Sequence, residues 1–353
     1  MWSAQRFWSR LLVSVAIGVV LAWLALRGGL PLLPDLRAFA TVSPWTVPIY
    51  VLSLSVMHGL RAARFRFLVR PVRTLSLRDT LALNFVGFLA IFALPLRLGE
   101  FVRPALGRTR YSIPWAAGLG TVAVERVVDG LLTSGCVAAA LWLLPRSGTV
   151  DPIARHVPTY ARLAVAAFGA GFAALLLFVW QRQLARRLCR GALDWLSPQL
   201  GAAVEQKLVG IADGLRALQQ PRLGFGFLFE SLAYWGVNAL GVWWLGVGCG
   251  LPGFTFVHAI AVMGILAIGI LLPSGPGLFG TFQLAVAGCL RMYFPEHVVA
   301  QQGAAFIFLL YAAQSLVMIV AGVAPVLFDI EGWTRSLFRL RESGRLPQLA
   351  DDH

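Results

Sequence analysis

Residues 81–103 read LALNFVGFLAIFALPLRLGEFVR. The first part, Leu81 to Leu94, is apolar except for Asn84 and stops at Pro95. As a helix it reaches only about 21 Å, against about 30 Å of hydrocarbon in a bilayer. Charge follows at once, as Arg97, Glu100 and Arg103. A second charged cluster, Glu125-Arg126-Val127-Val128-Asp129, lies between the apolar segments Ile113 to Val124 and Val127 to Leu144. An ionised side chain in such surroundings costs several kcal/mol unless it is paired or wetted. Two short apolar segments around a Pro/Gly break therefore read as a re-entrant hairpin or a broken helix, and the charge held there as the polar path of a transporter.

Composition supports a membrane setting. Hydrophobic residues make up 58% of the 353, charged residues 13%, and the mean hydropathy is +0.74. Soluble domains carry about 25% charged residues. The apolar runs are continuous, as helices need, and lack the alternation of a β-barrel. The net charge of +14 comes almost wholly from arginine, with Lys207 the sole lysine. These arginines fall between apolar segments, so they read as topology control and contact with anionic lipid heads at the cytoplasmic surface. No basic helix or aromatic-rich sheet motif points to nucleic acid. Cys136, Cys189, Cys249 and Cys289 form no C-x-x-C pair and read as small hydrophobes, so no metal is expected. No P-loop and no cofactor motif is present.

The fold class that follows is all-α: a polytopic helical membrane protein. About six full spans are expected, at Leu11 to Leu26, Trp45 to Leu60, Val127 to Leu144, Ala161 to Trp180, Gly224 to Gly248 and Ala300 to Val326. Two opposed re-entrant hairpins, related as inverted repeats, complete it: the one around Pro95, and Val257 to Leu272 with Leu278 to Leu290 around Pro273. The first span reads as an uncleaved signal anchor. Residues 182–222 look amphipathic, with Leu208, Ile211, Leu215 and Leu218 at helical spacing. Residues 1–326 form the membrane domain and 327–353 a short cytoplasmic tail. With both termini inside, the arginine-rich loop Arg61 to Arg78 and most other cations are cytoplasmic, and the outside keeps only Arg27, Arg37, Arg146, Arg155, Arg162 and Arg291. Trp2, Trp8, Trp45, Trp115, Trp142, Trp180 and Trp333 read as interface anchors.

The charged motifs carry the chemistry. If helical, Arg97, Glu100 and Arg103 share a face, as do Glu125 and Asp129, and Arg126 and Asp129 are near neighbours. Two readings stand: an ion-pair clamp between the hairpin and the following span, or direct contact with substrate phosphate, which arginine suits by its forked donors. Asn84 either satisfies a helix neighbour or meets a ligand. In the second hairpin Pro273, Gly277 and Gly280 unwind the chain and bare backbone donors near the helix opening at Leu278, while Thr281 and Gln283 add neutral polar atoms. The alternative there is a simple membrane turn.

At these residues the chain resembles the flippase-like family also described as the transmembrane region of lysylphosphatidylglycerol synthase. The resemblance rests on Asn84, the run Pro95 to Arg103, the run Glu125 to Asp129, and the turn Pro273 to Gln283. It implies movement of a lipid between leaflets, often an aminoacylated or isoprenoid-linked one, in a bacterial inner membrane. Many relatives carry Glu where this chain has Gln283. The fused aminoacyl-transferase domain of the synthases is not expected after the last span. The function expected is thus a flippase-like lipid transporter rather than an enzyme. The alternatives are a membrane-embedded lipid transferase, with Glu100 or Asp129 as general base, and a non-transporting scaffold for envelope lipid enzymes. Membrane lipid is the expected substrate, and a second copy of the chain or an envelope enzyme the candidate protein partner.

Overall fold

The computed structural model describes residues 34–94, 99–144, 162–173, 219–270 and 275–342, with single positions elsewhere. The first expected span, most of the amphipathic stretch, Arg97 and Pro273 lie outside the described residues. Among those described, every regular element is helical. Helix α1 (Thr46–Ala63) passes through Arg64 into the single-turn α2 (Phe65–Val69). Helix α3 (Leu77–Ala93) is opened by Ser76, whose Oγ accepts the Asp79 N–H at 3.1 Å. Then follow α4 (Val102–Tyr111), α5 (Trp115–Leu143) and α6 (Arg162–Ala173). The second half holds α7 (Pro221–Gly248), α8 (Phe256–Gly269), α9 (Thr281–Tyr293), α10 (Ala304–Phe328) and α11 (Ile330–Glu342). Among the described residues two helices, Trp115–Leu143 and Glu296–Phe328, are long and apolar enough to cross a membrane by length and composition. That agrees with a helical membrane protein.

The first hairpin differs from its expected form. Ile113 to Val124 is not a separate limb but the start of α5, which runs unbroken for 29 residues through Glu125, Arg126 and Asp129. No proline interrupts this helix, and each of the two acids at its middle meets an arginine from another element, so the charges do not break it. The returning limb is instead the basic segment that forms α4, packed on α3. Between them Gly99 closes the turn: a Cβ there would lie 2.2 Å from the backbone of Ala90. Only glycine permits that approach.

The second hairpin pairs α8 with α9. Its tip is a short 3-10 turn, Pro276–Leu278, rather than an α-helix opening at Leu278 as expected. Gly277, Leu278 and Gly280 have φ of 71°, 61° and 89°, so α9 begins at Thr281. The Tyr311 hydroxyl on α10 donates to the Gly277 carbonyl at 3.0 Å. A Cβ on Gly277 would lie 3.3 Å from the Phe92 ring, so the second tip rests against the end of α3. The second turn therefore meets the end of α3 inside one bundle, whose main apolar core joins Tyr50, Leu54, Tyr234, Leu266, Phe306 and Leu310.

The chain after α10 is not simply a polar tail. Trp333, expected as an interface anchor, is 1% exposed and packs with Phe65, Leu83, Leu106 and Ile113 at the base of the first hairpin. Trp45 and Trp142 are exposed, as anchors would be. Arg110 of α4 lies 4.3 Å over the Trp333 ring and ion-pairs with Asp329, which also accepts the Gly332 N–H at 3.1 Å. The hydrogen bond from Arg110 holds the Asp329 carboxyl below its ordinary range, helped by Gly332. The folded state thus prefers ionised Asp329. Its stabilisation is complete above the ordinary carboxylate pKa of about 4 and is lost as pH falls below that. Amide exchange across Ile330–Ser336, corrected for intrinsic rate, should therefore rise on acidification, and Asp329→Asn should raise it at neutral pH. Unchanged protection in both cases would contradict the clasp.

Candidate functional site

Asp129 is the central residue of α5, about 21 Å along the axis from either end. Its carboxylate accepts four hydrogen bonds from three residues. Arg64 donates through Nη1 to Oδ1 and through Nη2 to Oδ2, both at 2.7 Å, and the Tyr234 hydroxyl and Trp235 Nε1 donate to Oδ1 at 2.5 and 3.1 Å. Arg64 is 1% exposed. Its guanidinium also donates to Ser231 Oγ at 2.9 Å and stacks 4.6 Å over the Tyr234 ring. This knot ties α1, α5 and α7 together.

A second buried pair lies toward the first hairpin. Arg103 Nη2 donates to Glu125 Oε2 at 2.5 Å, Nη1 donates to Asn84 Oδ1 at 2.8 Å, and the group sits 4.9 Å over Phe65. Asn84 Nδ2 in turn donates to the Thr80 carbonyl at 2.8 Å. Arg103 thus bridges Glu125 and Asn84 and joins α3, α4 and α5, while the buried Glu125 Oε1 has no hydrogen-bond partner among the described residues.

Beside these knots lies a chamber of about 410 Å³. Glu100, Arg126, Asp129, Arg61 and His58 reach its wall, and both hairpins contribute, through Phe92 of α3 and Leu278 of the second tip. Asn238 and Gln314 add amides, with the rest of the wall largely apolar. Arg126 Nε lies 3.9 Å from Glu100 Oε1, a loose ion pair. Arg61 stacks 4.5 Å over Phe88. Among the described residues no carboxylate lies within ion-pair distance of Arg61, and Asp129 acts on it only through space. His58 is 4% exposed, and neither ring nitrogen has a partner among the described residues.

The expected site residues are thus divided between the knots and the chamber. Glu100, Arg126 and Asp129 reach the chamber, while Arg103, Glu125 and Asn84 form a neighbouring clamp. Glu100 does not share a helical face with Arg103, because it lies in a 3-10 turn and α4 opens only at Val102. Among the described residues it ion-pairs with Arg126 from α5, and Asp129 pairs with Arg64 rather than with Arg126. In the second turn the Gly280 N–H is already taken by Gln283 Oε1 at 2.8 Å, and Thr281 Oγ1 donates to the Leu278 carbonyl at 3.1 Å. Those donors, expected to be bared, cap the helix instead; Gly277, Gly280, Thr281 and Gln283 shape the tip, and Leu278 alone of the tip residues from Gly275 to Gln283 meets the chamber.

Sequence reasoning missed Arg61, Arg64, His58, Ser231 and Tyr234. One signal was present: Ser231, Tyr234, Trp235 and Asn238 recur at helical spacing, a polar stripe along an otherwise apolar helix.

Comparison with known proteins places this geometry in context. The family described as the lysylphosphatidylglycerol synthase TM region matches residues 11–322. A protein of Haloferax volcanii named glycosyltransferase AglD is 28% identical over 315 residues, covering 79% of this chain and 47% of that protein. The chain therefore spans about half the length of that relative. No solved structure matches.

Proposed function

The chain belongs to the lysylphosphatidylglycerol synthase TM region family, and from that premise we propose that it carries the polar head of a membrane lipid between leaflets through the chamber where its two hairpins meet. One observation carries this reading. A chamber of about 410 Å³ with ionisable walls sits at the middle of an apolar 29-residue helix, where charge is tolerated only for a purpose. The head enters the chamber while the tails stay in lipid, so only the head is desolvated. The hairpins enter from opposite faces as inverted repeats, the first from the cytoplasm and the second from outside, and rock alternately to open the chamber to each leaflet. The arginine-rich side faces the cytoplasm and its anionic lipids. The Asp129 and Glu125 knots hold the frame, and Arg126 with Glu100 meets the passing head.

Vesicles reconstituted with the purified protein should exchange labelled phosphatidylglycerol between leaflets about tenfold or more faster than empty vesicles, and Arg126→Ala should slow the exchange. No acceleration over empty vesicles would remove the function, and equal rates for wild type and variant would remove Arg126 from the path.

The name of the Haloferax relative supports a second reading, a membrane-embedded transferase acting on lipid-linked groups, with Glu100 as the carboxylate at the chamber. Product formed from lipid precursors by the purified chain would favour it over transport.

A further inference from the structure

Resting on the transport reading above, we infer that the chamber selects an anionic, phosphate-bearing head with neutral hydroxyl groups and rejects an aminoacylated, cationic one, and that Arg61 is the group that receives the phosphate. The charge balance argues for it. Four arginines, Arg61, Arg64, Arg103 and Arg126, stand among three carboxylates, Glu100, Glu125 and Asp129. Three of the arginines face a carboxylate; among the described residues Arg61 stacks on the Phe88 ring with no carboxylate within ion-pair distance, Asp129 acting on it through space. Arg64 and Arg126 are its like-charged neighbours. Like charges crowded in a low-dielectric wall repel, and an entering phosphate relieves them with forked, charge-assisted hydrogen bonds.

The carboxylates do not offer the converse site. An aminoacyl head brings ammonium groups, each needing an acidic acceptor on burial. Both oxygens of Asp129 are already committed to Arg64, with Tyr234 and Trp235 on Oδ1. Glu125 is held by Arg103 through Oε2, and its other oxygen, unpartnered among the described residues, does not reach the wall; Glu100 lies beside Arg126. What remains is neutral. His58 presents two unpartnered ring nitrogens and Asn238 an unpartnered Oδ1 among the described residues, and both line the same chamber. Such groups suit the hydroxyls of a glycerol or a sugar attached to the phosphate.

Binding, rather than translocation, tests this separately from transport. The purified full chain would be placed in nanodiscs of neutral phosphatidylcholine doped with one probe lipid, and the retained probe measured by native mass spectrometry. Phosphatidylglycerol should be retained about tenfold more than lysylphosphatidylglycerol. Arg61→Gln should abolish that preference, and Arg61→Glu should reverse it, a gain that misfolding cannot imitate. An isoprenoid-linked sugar phosphate run in parallel tells which kind of anionic lipid is held; retention of either supports the inference. Preference for the lysyl lipid, equal retention of both, or an Arg61→Gln variant as selective as the wild type would overturn it. Selective binding without leaflet exchange would overturn transport and leave the selectivity standing.

Discussion

Asp129→Ala should destabilise the folded protein by about 3–5 kcal/mol, because it strands Arg64 as an uncompensated charge in the interior. Arg64 is 1% exposed and gives both terminal nitrogens to that carboxylate. Once the acid is gone, Ser231 is the remaining acceptor for this guanidinium. Tyr234 and Trp235 lose their acceptor in the same step. Arg64→Ala should be comparably severe, since it leaves the carboxylate buried with only neutral donors. Replacing both partners with apolar residues, Arg64→Met with Asp129→Leu, removes the charge problem and should recover much of the loss. Thermal unfolding in detergent distinguishes the cases. If the single variants melt with the wild type, Asp129 is solvated and the knot is not buried; if the double variant is as damaged as the singles, the hydroxyl and indole donors matter more than the ion pair.

The knots explain which parts of the molecule were legible in the sequence. Helices α3 and α8 were readable because their apolar runs stop at Pro95 and Pro273, shortly after the helices end at Ala93 and Gly269, and α10 because its apolar run is long, with Pro325 inside its last turn. The charged clusters were readable as a site because charge inside apolar sequence is costly anywhere. Their pairing was not. Local spacing ties Glu100 to Arg103 and Arg126 to Asp129, but the folded pairs join residues far apart in the chain, Arg64 with Asp129 and Arg103 with Glu125. A helix-face argument holds only while both residues lie on one helix, and Gly99 to Phe101 is a 3-10 turn.

Arg61 and Arg64 were misread for a related reason. Counting cations on loops assigns any arginine beyond an apolar run to the water side. Yet the sequence after Arg61 does not become polar: Ala62, Ala63, Phe65, Phe67, Leu68 and Val69 keep it apolar, and Arg64 is drawn inward by Asp129. An arginine embedded in renewed apolar sequence is a candidate for a buried partner rather than a topology marker. The same correction explains why the net charge of the site was read as balanced, when the folded cluster carries one more cation than anion among its described members.

The pair Arg103–Glu125 offers the sharpest decision between clamp and substrate contact. Glu125→Ala should cost about 3–5 kcal/mol by leaving Arg103 buried with Asn84 Oδ1 as its only remaining hydrogen-bond acceptor. The double variant Arg103→Met with Glu125→Leu keeps the volume, removes both charges and leaves Asn84 bonded to the Thr80 carbonyl, so most of that loss should be regained. Neither side chain reaches the chamber wall. If the pair only clamps the first hairpin to α5, the double variant should exchange labelled lipid at a rate within a few-fold of the wild type once its stability is restored. If it takes part in passage, stability should return while exchange stays at the level of empty vesicles. Measuring melting and exchange on the same preparations separates the two. Recovery of both fits a geometry in which Arg103 is committed to Glu125 and Asn84, away from the chamber wall, and the passing head is left to Arg61 and Arg126.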